Sequence, residues 1–377
     1  MDGTGSERFD TVVIGAGQAG LSASYYLKRA GRSFVILDAN AEVGGSWLNR
    51  YDSLQLFTPR WAVRLPGWRF QNKDVRYPSR DQMIGFLQEY AERFDLPVRT
   101  GVRVERISRG GDGFVVSTDA GRIEADDVIV ATGANRDPRV PAFSRELDPA
   151  IVQLHSSEYR NPSQFRDGGV LVVGAGNSGA DISLDAVTGH PTWLSGPDRG
   201  HIPVNIDTWI AQNVAFRLIR FVGVHVLTER TPIGRRSKAK HQGDPLVRVK
   251  PKQLLAAGVE RVPKTVGVRF GKPMLEDGRV LDVANVIWAT GYRHDFSRID
   301  LPILGEDGEL VHERGVATGQ PGLFFVGLSF QYSAASDVIP GVPRDAKYVV
   351  ERLLSRDRSD VDGSSRRRPE FSPPCRR

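Results

Sequence analysis

The sequence predicts an α/β protein built from two nested, Rossmann-like dinucleotide-binding domains. Three observations predict it. Two apolar runs each end in a G-x-G-x-x-G turn, at Gly15, Gly17 and Gly20 and again at Gly174, Gly176 and Gly179. Two nearly identical apolar strands each end in Ala-Thr-Gly, closing at Gly133 and at Gly291. The spacing also repeats: Gly17 to Gly133 is 116 positions and Gly176 to Gly291 is 115. A repeated pair of this kind means two related halves, with the second inserted in the first.

The elements follow in order. Residues 1–8 read as a loose leader. Thr11–Gly20 reads as a buried strand and turn, and Leu21–Arg29 as a helix ended by Gly31. Phe34–Leu37 is the second strand. Gln82–Phe94 places Met83, Phe86, Leu87, Tyr90, Ala91 and Phe94 on one helical face. Phe114–Thr118 and Arg122–Ala125 read as a hairpin through Gly121. The strand Leu323–Gly327 and the helix Arg344–Leu354 return to complete the first half. The expected domains are therefore 9–150 and 292–354 for the first half and 151–291 for the insert, with a disordered basic tail at 355–377. That tail holds seven Arg against four acids and is rich in Gly, Ser and Pro. Trp209–Leu227, apolar but broken by Arg217, Arg220 and His225, reads as a helix packed over the nucleotide domain, with a membrane-surface helix as the alternative.

Bulk composition excludes several classes. Apolar residues are 40% and charged residues 25%, the mixture of a globular protein. No run of 18 apolar residues occurs, so no transmembrane segment is expected, and no basic-then-apolar leader precedes Phe9. The one cysteine, Cys375, excludes an internal disulfide, a CxxC redox pair and a thiolate metal cluster. A reducing cytoplasmic setting is the expectation. The net charge of +6 lies in the tail and in a loop cluster at Arg235, Arg236, Lys238 and Lys240, without any nucleic-acid motif, so no nucleic acid is expected as partner.

Each turn suits a pyrophosphate set on a helix N-terminus, contacting Gln18 in the first half and Asn177 and Ser178 in the second. Asp38 ends the second strand, where a carboxylate accepts the ribose hydroxyls of an adenosine lacking a 2′-phosphate; FAD and NAD both fit. The matching strand Thr192–Leu194 runs into Ser195-Gly196-Pro197-Asp198-Arg199. No acid stands at the turn itself, and Ser195 and Arg199 suit a 2′-phosphate, which favours NADPH, while Asp198 close by keeps NADH as the alternative.

With these residues in place, the chain resembles the class B flavin monooxygenases, the flavin-containing monooxygenase-like and YUCCA-like family, over residues 9 to about 354. Gly15–Leu21 is similar to the family's FAD turn. Gly44-Gly45-Ser46-Trp47 is similar to its G-G-x-W element beside the flavin. Arg50-Tyr51-Asp52 and Tyr77–Gln82 resemble further segments, Gly174–Asp181 the NADPH turn, and Ala289-Thr290-Gly291-Tyr292 the linker strand. Gly322–Leu328 with Phe330-Gln331-Tyr332 resembles the C-terminal flavin-contact segment. Of the segment F-x-G-x-x-x-H-x-x-x-Y, only His155 and Tyr159 remain, with Pro149 and Ile151 at the Phe and Gly positions.

The resemblance implies the glutathione-reductase-like pairing of two dinucleotide-binding domains, with FAD and NADPH as cofactors and no metal. It implies that NADPH reduces FAD, that O₂ then forms a C4a-(hydro)peroxyflavin, and that one oxygen passes to a small organic substrate. A tyrosine at 159, where Baeyer–Villiger enzymes usually carry Trp, favours a nitrogen or sulfur centre. Animal members use an Asn after the G-G-x-W element. None stands in Tyr51–Pro59, which leaves Gln55 and Thr58 as substitutes and His155 as a third catalytic candidate. Trp47, Phe57, Trp61, Trp68 and Phe70 are candidates for an apolar substrate chamber. The alternatives are an NADPH oxidase or flavin reductase without oxygen transfer, a Baeyer–Villiger enzyme, and a non-catalytic dinucleotide-binding protein. A homodimer remains open as the assembly.

Overall fold

The computed structural model describes residues 7–133, 137–198, 200–202, 208–239 and 245–365. Two sheets organise the chain, the first mixed around a parallel centre and the second parallel throughout. The first contains β1 (Glu7–Ile14), β2 (Phe34–Asp38), β3 (Val98–Thr100), β4 (Val104–Gly110), β5 (Gly113–Thr118) and β6 (Gly121–Val130). The second contains β7 (Val152–His155), β8 (Val170–Val173), β9 (Thr192–Ser195), β10 (Glu260–Val262) and β11 (Asn285–Trp288), in the order β7-β11-β8-β9-β10. The chain then returns to the first sheet with β12 (His312–Glu313), β13 (Val316–Ala317) and β14 (Leu323–Phe325). That sheet reads β12-β13-β14-β6-β1-β2-β3, with β5 antiparallel on β6 and β4 on β5.

The two halves share one local topology. The strand before each glycine turn lies between the next strand and the Ala-Thr-Gly strand: β1 between β2 and β6, and β8 between β9 and β11. Strand order reverses at that central strand, which opens the crevice where doubly wound sheets take their ligands.

Parallel strands are covered on both faces, which explains their unbroken apolar runs. Along β1 and β6 the side chains alternate. Val13 and Ile129 join the core under three helices, α1 (Gln18–Arg29), α3 (Arg80–Arg93) and α8 (Val342–Ser365). Val12, Ile14, Val128 and Val130 join the core under the β4–β5 meander. Each fully buried Val or Leu contributes about 1.5–3 kcal/mol. In the second sheet Val172, Leu194 and Ile287 face α4 (Asn177–Ala186) and α7 (Pro251–Ala256), while Leu171, Val286 and Trp288 face the other way. Between α1 and α3 lies the single-turn α2 (Gly45–Leu48). α3 opens on a capping box, in which Ser79 and Gln82 bond each other's backbone N–H.

Three expectations need correction. The strand β1 begins at Glu7, inside the expected leader, because Glu7 pairs with Arg99 and Arg8 pairs with Glu124 and Asp126. The tail expected from 355 is helical to Ser365, since α8 continues and Arg356 pairs with the buried Asp127; residues 366–377 lie outside the described residues. Arg235, Arg236 and Lys238, expected in a loop, lie on α6 (Pro232–Ala239). The helical stretch Trp209–Val226, with α5 (Phe216–Phe221) at its centre, packs on the first half. Phe216 and Arg217 meet Trp61, and Arg344 bonds the Val224 carbonyl.

Candidate functional site

Each glycine of the two turns has its own steric reason. A Cβ on Gly20 would lie 1.8 Å from the Gly15 carbonyl oxygen, and on Gly179 1.8 Å from that of Gly174. These glycines let helix and strand touch. A Cβ on Gly15 would meet the Ala131 oxygen at 2.5 Å, and on Gly174 the Ala289 oxygen at 2.1 Å. So the first glycine of each turn abuts the Ala-Thr-Gly strand of its own half, and the two repeated motifs meet in space. Gly17 and Gly176 differ: nothing lies within 4 Å of the Cβ position at either. They face open space at the helix start.

Those helix starts are ready for an anion. Gly17 and Gly176 are the N-cap residues of α1 and α4, neither helix has a side-chain cap, and neither carries an acid in its first turn. The orphan N–H groups and the dipole therefore point at the open glycine, with no side-chain cap among the described residues. The residues present fit a pyrophosphate at both places.

Asp38 closes the first turn from below. It is buried; its Oδ2 accepts from the Ala16 N–H at 2.6 Å, and its Oδ1 accepts from the Asn40 backbone and side-chain nitrogens. A Cβ on Gly45 would strike Asn40 at 2.3 Å, so the second glycine of the G-G-x-W element is fixed by the residue that braces Asp38. Ser46 is exposed, and Trp47 packs partly buried on the first core. Gln18 donates to the Asp337 carbonyl at 2.9 Å, while its own Oε1 is buried without a partner. Gln331 is fully buried, and its Oε1 accepts from Gly327 and Leu328. It holds the exit of β14. Gly133 and Gly291 both turn with positive φ, 77° and 82°. Thr290 bonds the Arg139 carbonyl.

At the second turn, Asn177 clamps residues 245–247, donating to Pro245 and accepting from Val247. Ser178, beside it, is half-buried. Ser195 does not face the crevice. Its hydroxyl is fully buried, donates to the Pro263 carbonyl and bonds Thr265. Strand register gives the reason. Gly15 donates to the Leu37 carbonyl and Gly174 to that of Ser195, so Ser195 is the counterpart of Leu37, and Gly196 is the counterpart of Asp38. Arg199 lies outside the described residues. The cation that the described residues bring to this turn is Arg261, which donates to the Gly196 carbonyl at 2.9 Å. Sequence reading missed it because it comes from β10, 65 positions after Gly196.

The loop between the halves is held by both. Tyr51 is buried and donates to Asp181 of α4 at 2.9 Å, and Asp181 pairs with Arg248 at 3.0 Å. Burial first, then the Asp181 charge, pushes the Tyr51 phenol up; burial also raises Asp181. Ser53 donates to Asp185 at 2.5 Å, and Arg50 to the Tyr292 hydroxyl at 2.9 Å. Gln55 is exposed and accepts from Arg248 at 3.2 Å, while Thr58 is buried. His155 is buried at the end of β7. Its Nδ1 accepts from the Ser157 backbone N–H, which leaves Nε2 to donate to the Gly291 carbonyl at 3.1 Å. Burial lowers its pKa. It straps the linker at Gly291. Tyr159 is fully buried and stacks on Phe165.

The five candidate chamber aromatics do not converge. Trp47, Trp68 and Phe70 pack on the first core, Phe57 packs with Tyr77 and Val247, and Trp61 meets Phe216. Among the described residues no group of His, Cys, Asp and Glu could hold a metal ion.

Two sheets with matched, uncapped phosphate turns define a two-dinucleotide oxidoreductase, and comparison with known proteins narrows it. The profile of the pyridine nucleotide-disulphide oxidoreductase family matches residues 12–192. The chain is 37% identical to an uncharacterized CzcO-like oxidoreductase of Geobacillus kaustophilus, over 92% of this chain and 98% of that one. It is 28% identical to a probable indole-3-pyruvate monooxygenase, YUCCA3, of Arabidopsis thaliana, over 84% and 82%. The solved flavin-containing monooxygenase of Stenotrophomonas maltophilia superposes with a TM-score of 0.76 at 30% identity, over 93% of this chain and 99% of that one. The chain belongs to the class B flavin monooxygenase-like family and is an NAD(P)H-dependent flavin monooxygenase. Among the described residues no helix is long and apolar enough to cross a membrane.

Proposed function

We propose that the first glycine turn holds FAD, the second holds NADPH, and the enzyme transfers one atom of O₂ to a nitrogen or sulfur centre of a small organic substrate. The observation that carries this is the pair of open, uncapped helix starts at Gly17 and Gly176, unequal in what stands beside them. Asp38 braces the first, where a carboxylate suits an unphosphorylated ribose and repels a 2′-phosphate. At the second, Gly196 carries no side chain in that place and the Arg261 guanidinium is able to bond a 2′-phosphate, with Asp198 two residues further along the turn. On this reading, residues 9–150 and 292–354 form the FAD half and 151–291 the NADPH half.

Bound FAD and NADPH supply the hydride transfer and the activation of O₂. The chain's own residues bind and orient. Backbone N–H groups of α1 and α4 carry the pyrophosphates. The Tyr51–Asp181 and Ser53–Asp185 bonds fix the loop Arg50–Thr58 against α4, so one loop sets the distance between the two halves. His155 stays neutral and positions Gly291. Tyr159, at the position where Baeyer–Villiger enzymes carry Trp, supports heteroatom oxygenation. The test is ¹⁸O₂ turnover with NADPH against amines, thioethers and ketones, with hydrogen peroxide measured in parallel. One ¹⁸O atom in an N- or S-oxide is the expected result. NADPH consumption that yields peroxide alone with every substrate overturns the oxygen-transfer reading.

A further inference from the structure

The helical stretch Trp209–Val226 leaves an apolar row uncovered. Trp209 is 72% exposed and Leu218 64%, with Ile210, Val214 and Phe221 between one-half and two-thirds exposed. No acid occurs from Thr208 to Thr228, whereas Arg217 and Arg220 interrupt the row. At its foot lies a cavity of about 280 Å³ lined by Tyr26, Arg64, Arg220, His225, Arg344 and Lys347, with no acid in its wall among the described residues. The acids paired with its lining cations are Asp345, with Arg344 at 3.0 Å, and Glu351, with Lys347 at 3.6 Å. Arg220 Nε is buried without a hydrogen-bond partner. Burial, then the neighbouring Arg64 charge, lowers the Arg220 pKa. Two cations turned toward one cavity, with an orphaned guanidinium N–H, form a site short of an anion. It is not the pyrophosphate turn: Tyr26 is eight residues past Gln18 along α1, about 12 Å.

We propose that this face docks on an anionic membrane surface, with a phospholipid phosphate in the Arg64–Arg220 cavity and the Trp209–Phe221 row in the interfacial layer. Charge selects the occupant. A second copy would set like-charged arginine rows together, whereas an anionic bilayer offers both the phosphate and the apolar boundary that the row needs. The helix lies along the surface rather than across it, as its length and its arginines require.

The test is co-sedimentation of the full-length, flavin-loaded protein with phosphatidylcholine vesicles, with and without phosphatidylglycerol, at low salt. Binding is expected only with phosphatidylglycerol, and it is expected to weaken at high salt. Arg220→Gln should weaken it about fivefold. Leu218→Ser with Phe221→Ser should weaken it more than about tenfold. Both variants should keep wild-type flavin content and melting temperature, so loss of binding reports the surface rather than the fold. Equal binding to both vesicle types overturns the proposal. So does thermal stabilisation by inorganic phosphate without vesicle binding, which marks a free phosphate as the ligand. A dimer that Leu218→Ser disperses, with no vesicle binding, also overturns it and assigns the row to a second copy.

Discussion

Replacing Gly17 by Ala separates cofactor binding from folding, because the structure gives this glycine no steric duty of its own. Its φ and ψ, −84° and −174°, are extended values that alanine adopts freely, and nothing lies within 4 Å of the added methyl. An N-cap alanine is worse than glycine by about 0.5–1 kcal/mol, and the stiffer unfolded chain returns about 0.4–1 kcal/mol. The melting temperature should therefore move by no more than about 2–4 °C. The methyl does project into the space in front of the α1 N-terminus. Displacing a phosphate from one charge-assisted N–H bond costs about 1.5–3 kcal/mol, which is roughly a ten- to 150-fold rise in Kd. Gly176→Ala is the matched perturbation, with the same extended backbone and the same open surroundings. FAD fluorescence titration of the apoprotein should show the loss in Gly17→Ala alone. The KM for NADPH at saturating FAD should show it in Gly176→Ala alone. Gly20→Ala is the contrast: a Cβ 1.8 Å from a backbone oxygen costs several kcal/mol and should abolish soluble, folded protein. Wild-type FAD affinity in Gly17→Ala refutes the assignment of the first turn, and flavin loss in Gly176→Ala with an unchanged KM reverses the order of the two.

Arg261→Ala should raise the KM for NADPH about tenfold or more and leave that for NADH nearly unchanged, as steady-state kinetics with both nucleotides would show, since one guanidinium bond to a 2′-phosphate is lost. Tyr51→Phe strips a hydrogen bond from buried Asp181 and should cost about 1–3 kcal/mol by urea unfolding, with slower flavin reduction in stopped flow and unchanged flavin content. Burial depresses His155 and His312, so the unfolded chain takes up protons near pH 6.5 while the folded chain resists. Stability should therefore fall as pH drops from 7 toward 5, and His155→Gln should flatten that fall in thermal melts. Asp181 and Asp185, raised by burial, add stability as pH falls further, through the carboxylate range, and leave the sign near neutrality to the histidines.

The parts of this protein that sequence reveals are those where chemistry leaves one residue type no substitute. Gly15, Gly20, Gly174 and Gly179 stand against backbone oxygens at 2.5 Å or less from a would-be Cβ, so the turns are legible as letters and the folds follow from them. The Ala-Thr-Gly strands were legible as a repeat, although their meeting with the first glycines was not, since that contact spans more than a hundred residues. The apolar row on Trp209–Val226 was legible as apolar, but spacing alone does not say which side a helix turns inward. The turn proposed to specify the nucleotide was legible only to within one residue, and that residue mattered. Ser195 and Asp38 both follow a strand leucine, and by eye they correspond. Hydrogen bonding decides otherwise: the Gly174 N–H goes to the Ser195 carbonyl, as the Gly15 N–H goes to that of Leu37. One step of register in a strand moves a side chain to the opposite face. Ser195 is thereby sent inward to Thr265, Gly196 takes the place of Asp38, and the side chain there is supplied by Arg261 from the neighbouring strand. The missing carboxylate was readable in the sequence; the cation that stands in its place is a property of the sheet.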